Sequence, residues 1–143
     1  FAAARSDHVA ARILPALVSG GWVVCDRFLD SSRAYQGVAG GLGDAAIRQL
    51  HQIGSDNLLP HLTIVITANP DQVAERLRQR DGDRSDAIGG RGHAYHTAVN
   101  EAFLDFAQAE PARFAVVDGE GSVEDVHQRV LAAMSPLLTE AGF

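Results

Sequence analysis

The sequence predicts an α/β fold: a parallel sheet with helices on both faces. Three observations carry this. Short, continuous apolar runs at 22–25 (WVVC), 62–68 (LTIVITA) and 114–117 (FAVV) fit strands buried on both faces. Helical patterns alternate with them, and that alternation is the signature of parallel pairing. The 143 residues are 46% hydrophobic, enough for one domain, 1–143, with its own core.

The elements follow in order. Val9, Ile13 and Leu17 repeat at four-residue spacing, which predicts a helix from residue 1 to about 19. Ser19, Gly20 and Gly21 end it, because glycine accepts the left-handed conformation that closes helices. The strand at 22–25 comes next. A glycine-rich turn at 38–43 leads into a second helix from Asp44 to about Gly54. After the strand at 62–68, Asn69 caps a new helix, with Pro70 at its first position and Gln72 three residues after the cap. That helix runs to about Arg80, a polar glycine-rich loop fills 81–92, and another helix runs from about His93 to Ala109. After the strand at 114–117, Ser122 caps the last helix, in which Val123, Val126, Val130, Met134 and Leu137 form one face.

Composition excludes some roles. The net charge of −6 argues against nonspecific nucleic-acid binding through a basic surface. The single Cys25 rules out an internal disulfide framework and fits a reducing compartment. No apolar run approaches membrane-spanning length, and no signal peptide is visible. All twelve basic residues are arginines. The chain starts at Phe1 rather than Met, and the expectation is a fragment.

In open parallel sheets, ligands bind beyond the carboxyl ends of the strands. Asp26 and Arg27 stand at such an end. Arginine offers a planar fork of donors that matches a phosphate. A neighbouring carboxylate can orient it, or hold water on a magnesium ion. The plainer alternative is a surface ion pair. Ser31, Ser32 and Gln36 offer hydrogen bonds to a polar ring edge, and Tyr35 a flat face tipped by a hydroxyl. Phe1 and Arg5 share a helix face, where an aromatic can stack on a base and an arginine can reach its carbonyl or a phosphate. Phe1 as a core residue is the alternative. Arg84 and Arg91 in the loop 81–92, behind Arg76, Arg78 and Arg80, can close over transferring phosphates or simply be solvated. His93 and His96 lack a third ligand at convincing spacing and read as surface residues. Cys25 reads as inert strand core. Asp118, Gly119, Glu120 and Gly121 either contact a base through their backbone or form a turn. No nucleophile elbow is present.

One ordered set is specific: an apolar run, then Asp26-Arg27-Phe28, Ser31, Ser32, Ala34-Tyr35 and Gln36-Gly37, preceded by Phe1-Ala2-Ala3-Ala4-Arg5 and Pro15-Ala16-Leu17. It resembles the thymidylate kinases, P-loop enzymes that phosphorylate dTMP with ATP. Weaker similarity continues through Asn69-Pro70, the arginine-rich helix and Val116-Val117-Asp118, so it covers essentially the whole chain. The resemblance implies a P-loop NTPase-like sheet and transfer of the ATP γ-phosphoryl group to dTMP, giving dTDP for dTTP synthesis. Phe1 would stack on thymine, and Arg5 would bind the base edge or the monophosphate. Asp26 would organise Mg2+ through water, and Arg27 would hold a phosphate. Ser31 and Ser32 would sit near the base, Tyr35 would crowd the 2′ position of the sugar, and Gln36 would line the same pocket. The loop 81–92 would be the lid, with Arg84 and Arg91 as its catalytic arginines. A cytoplasmic homodimer is implied, with dTMP and ATP as partners and neither nucleic acid nor membrane.

Two departures qualify the transfer. A chain without lysine lacks the family's Gly-Lys-Ser/Thr phosphate loop, so the N-terminal strand and P-loop are expected to be missing and the fragment inactive. In the lid, Asp86 is followed by Ala87, Ile88 and Gly89, and the next helix has Thr97, Ala98 and Asn100 where arginines are common. A non-catalytic nucleotide-binding homologue, or a kinase of another nucleoside monophosphate, are the alternatives.

Overall fold

The chain starts with three consecutive helical pieces: α1 (Ala2–His8), a π-helical turn (Val9–Ile13) and α2 (Leu14–Val18). Pro15 explains the wide middle turn. It has no N–H to give Ala11, and its ring crowds that carbonyl, so the helix widens just ahead of it. Gly20, at φ 80°, closes the run by donating to the Leu17 carbonyl. The computed structural model describes residues 1–69 and 92–142. These fall into two units: Phe1–Leu59 with Ala94–Phe103, and the described part of Pro60–His93 with Leu104–Phe143.

In the first unit, residues 22–25 join no ladder, which corrects the predicted buried strand. Trp22 is 49% exposed and Val24 90% exposed, so the apolar run is not core here. Among the described residues, the ladder pairs β1 with β2 alone and does not include this run. The segment after it, to which the sequence assigned no element before the turn at 38–43, is helical: α3 (Leu29–Ser32) passes into a second π-helical turn (Arg33–Val38). Gly43, at φ 83°, then lets the chain reverse into α4 (Asp44–Ser55). Gly37 allows the close approach there, since a Cβ on it would meet Ile47 at 3.3 Å. α4 packs on α1 and on the second π turn. The buried apolar side chains of this unit are Val9, Ile13, Leu29, Ala34, Ile47, Val99 and Ala102.

A buried ion pair joins these elements. Arg33, 2% exposed, donates from Nη1 to Asp30 at 2.9 Å and from Nε to Asp44 at 2.7 Å. Asp44 also accepts from Arg48 at 2.8 Å. Partial burial opposes ionisation of Asp44, but the hydrogen bonds from Arg33 and Arg48 outweigh it and leave the carboxyl more acidic than usual.

The second unit holds β1 (Thr63–Thr67) and β2 (Phe114–Asp118), paired in parallel with Thr63 opposite Phe114 and Thr67 opposite Asp118. Between them in the chain comes α5 (His93–Ala109), whose residues 94–103 belong to the first unit. Parallel pairing requires such a long connection. The strands are less buried than predicted, with Ile66 at 55% and Val116 at 50% exposure, while Phe114 and Val117 are buried. Arg113 holds the strand entrance, donating to Glu110 at 2.7 Å and to Thr63 at 3.2 Å. Gly119 is required at the exit: its N–H meets the Thr67 carbonyl at 2.7 Å, and a Cβ would stand 2.5 Å from that oxygen. The last helix, α6 (Val123–Glu140), packs on β2 and begins in the capping box formed by Ser122 and Asp125. Its predicted apolar face is half-buried at Val126, Val130, Met134 and Leu137 and exposed at Val123. The helix predicted after Asn69, with Arg76, Arg78 and Arg80, and the lid arginines Arg84 and Arg91 lie outside the described residues.

Replacing Arg33 by Ala leaves Asp30 charged in a buried site. The expected cost is about 3–5 kcal/mol of stability, read as a lowered urea midpoint at pH 7. A midpoint within error of wild type would refute the structural role given to this pair.

Candidate functional site

The site grows from the turn at Asp26 and Arg27 in the first unit. Arg27 has φ 66°, a left-handed conformation that costs a branched-chain or long residue about 1–2 kcal/mol relative to glycine. Such strain persists only where the surroundings fix it, and it clusters at functional turns. Here it sets the Arg27 guanidinium 5.1 Å from the centre of the Tyr35 ring, within cation–π range. Asp26 and Arg27 are both exposed, so their polar ends face solvent and any ligand it carries.

Tyr35 is itself held. Tyr95 donates its hydroxyl to the Tyr35 backbone carbonyl at 2.7 Å, and the two rings meet edge-on at 6.2 Å. A π-helical turn shifts the backbone hydrogen-bond pattern, which opens a carbonyl to such a side-chain donor. Gln36 is half-buried behind it, and Ser31 is half-buried on the preceding turn.

Arg5, half-buried on α1, forms the second part of the site. Its Nη1 donates to Ser32 at 2.7 Å and its Nε to Nδ1 of His51 at 3.2 Å. Its guanidinium carbon stands 6.0 Å from the Phe28 ring centre. Burial lowers its pKa, and the Asp30 carboxylate works against that. His51 is 1% exposed, and its Nε2 lies 2.7 Å from the Leu58 carbonyl. Because Nδ1 accepts from Arg5, the proton sits on Nε2 and is donated to Leu58. Burial is the main cause of a lowered His51 pKa; the Leu58 carbonyl opposes it, the Arg5 charge reinforces it and Asp30 opposes it.

The structure therefore brings Arg5 and Ser32 together, and Arg27 and Tyr35 together. Phe1 is 81% exposed at the N-cap of α1, with its carbonyl accepting from Arg5 N–H at 2.9 Å; it is not a core residue. Arg84 and Arg91 lie outside the described residues. Cys25, read as strand core, is exposed; partial desolvation and the adjacent Asp26 carboxylate raise its pKa and keep it a thiol. His51, Arg33, Asp30 and Tyr95 were absent from the sequence reading. Their one visible signal is the Asp30–Arg33 spacing, which places opposite charges on one helix face.

A groove of about 600 Å³ in the second unit is lined by Ile66, Gly119, Gly121, Ser122, Val126 and His127. It is mainly apolar, and its lining carries neither a carboxylate nor a guanidinium. Among the described residues, no three His, Cys, Asp or Glu side chains gather as metal ligands, and no helix is long and apolar enough to cross a membrane.

The thymidylate kinase family model matches residues 1–130. A thymidylate kinase of Rhizorhabdus wittichii is 47% identical over 138 residues, covering 96% of this chain and 66% of that protein. One from Symbiobacterium thermophilum is 44% identical over 138 residues, covering 96% and 63%. The crystal structure of thymidylate kinase from Ehrlichia chaffeensis superposes with a TM-score of 0.70 at 25% identity, covering 94% of this chain and 63% of that one. The chain thus spans just under two thirds of the length of the curated relatives it matches.

The His51 geometry makes stability depend on pH. Its folded pKa lies below the unfolded value, so the unfolded chain takes the proton first as pH falls below about 6.5. Stability is expected to drop between pH 7 and pH 5, and His51→Gln should flatten that drop. Urea midpoints at several pH values give the answer; parallel curves for the two proteins would count against it.

Proposed function

Because the chain belongs to the thymidylate kinase family, we propose that the protein transfers the γ-phosphoryl group of ATP to dTMP, giving dTDP for dTTP synthesis. Family membership over residues 1–130 carries this reading. The geometry of the first unit supports the acceptor half of it. Arg27, exposed and fixed over Tyr35, presents a planar fork toward solvent, suited to a phosphate. Arg5, anchored at two nitrogens, presents its remaining donors to a base carbonyl or a phosphate. Phe1 is exposed and available to stack on thymine, while Ser31, Ser32 and Gln36 line the base side. Tyr35 crowds the sugar's 2′ position and favours deoxyribose. Arg84 and Arg91 take the lid role.

Asp26 fits a magnesium ion in one respect: it is a single exposed carboxylate, and Mg2+ keeps most of its waters and takes few protein ligands. It would hold the ion through water, and the ion would offset charge on the ATP phosphates. The protein's own contribution is positioning and electrostatic complementarity. The protein acts in the cytoplasm, as a homodimer.

Coupled ADP-release assays on the full-length polypeptide test this. Turnover of dTMP is expected, and Arg27→Ala should lower kcat/KM for dTMP by about 10²–10³, with only partial recovery in Arg27→Lys. Binding of dTMP without ADP release would favour the non-catalytic homologue, and faster turnover of another nucleoside monophosphate would reassign the acceptor. Tyr35→Ala should narrow the preference for the deoxyribose over the ribose form of thymidine monophosphate; an unchanged ratio removes the role given to Tyr35.

A further inference from the structure

We infer that His51 is a positioning residue for the acceptor nucleotide: held in its Nε2-protonated form, it fixes the plane of the Arg5 guanidinium. This rests on the proposed acceptor role of Arg5.

An arginine side chain has several soft torsions, and one anchored nitrogen leaves its plane free to turn. Arg5 is anchored on two nitrogens from two different elements, Nε by His51 on α4 and Nη1 by Ser32 on α3. Nη2 hydrogen-bonds to no described residue, which leaves its two N–H groups pointing along one defined edge. A carbonyl or phosphate oxygen there meets prepaid geometry, so less orientational freedom is lost on binding.

The imidazole suits this task because its own state is fixed twice. Nε2 donates to the Leu58 carbonyl at 2.7 Å, just past the end of α4, and the Phe28 ring packs edge-on at 5.4 Å. With that donation made, Nδ1 has only a lone pair to offer Arg5. An imidazolium would aim an N–H at the Arg5 N–H instead. The charged groups acting on His51 are Arg5 from α1 and Asp30 from α3, and Asp30 is itself paired with Arg33. A lowered His51 pKa agrees with this arrangement. The anchor is therefore present at neutral pH and withdrawn by acid.

The test uses the full-length polypeptide, with His51→Leu and His51→Asn. Asn places its Oδ1 close to where Nδ1 stood and restores an acceptor for Arg5, while Leu does not. His51→Leu should raise the KM for dTMP about 10- to 100-fold, with KM for ATP unchanged and kcat at saturation near wild type. His51→Asn should recover most of that loss. The wild-type KM for dTMP should also rise in acid, and His51→Asn should abolish that rise. Equal KM values in all three proteins, or equal impairment in both variants, overturn the inference. 15N NMR of the wild-type imidazole supplies a reading independent of turnover: an unprotonated Nδ1 and a protonated Nε2 are expected, and the reverse tautomer overturns the inference outright. Wild type that neither binds nor turns over dTMP, yet shows this tautomer and an Arg5 Nε–H signal that His51→Leu removes, sinks the acceptor assignment and keeps the anchor.

Discussion

The first unit depends on one guanidinium with no access to water. Arg33 is pinned between Asp30, on its own helical segment, and Asp44, at the start of α4. A charge taken out of water must find partners of opposite sign in good geometry, or the fold loses several kcal/mol. The placement of residues 29–38 against α4 satisfies all three groups together. That placement has consequences on both sides of the ion pair. It presents Ser32 toward Arg5 and puts Tyr35 beneath Arg27, and it brings His51, farther along α4, up to the same arginine. Arg5, Arg27 and Tyr35 are exposed or half-buried, while Asp30, Arg33 and His51 beneath them are almost fully enclosed.

The backbone around the site is irregular in ways that share a cause. Arg27 takes a left-handed conformation, and the segment after it winds through a π-helical turn. Each departure carries a local cost, and each aims a group that regular geometry would not. The first directs a guanidinium over an aromatic face; the second leaves the Tyr35 carbonyl to the Tyr95 hydroxyl. Donors fixed before a ligand arrives need little reorganisation afterward, which is the main way a protein handles phosphoryl groups. Glycines serve the same end: Gly37 lets α4 approach closely, and Gly41 and Gly43 take the positive φ of the turn that leads into it.

Reading the chain residue by residue recovered its periodic elements well. β1, α4, α5, β2 and the Ser122-capped α6 stand within a residue or two of where spacing and capping chemistry put them. The miss at 22–25 has a plain reason: an apolar run states that a segment prefers to be buried, not which edge is there to receive it. The helical stretch 29–38 was hidden by its polar content, because two of its inward positions are an aspartate and an arginine that become apolar-compatible only as a pair.

The sequence by itself determined the periodic elements, the alternation that makes pairing parallel, and the ordered Asp26-to-Gly37 set that marks the family. These are local properties, written in spacing, capping and the order of residue types. Only the tertiary structure decided that Arg33 is a core residue, that Arg5 leans on His51, and that His51 carries its proton on Nε2. These joins span 11 positions between Arg33 and Asp44 and 46 between Arg5 and His51. No periodicity encodes such a distance. It exists because desolvated polar groups must be satisfied, and what satisfies them is set by which elements happen to pack together.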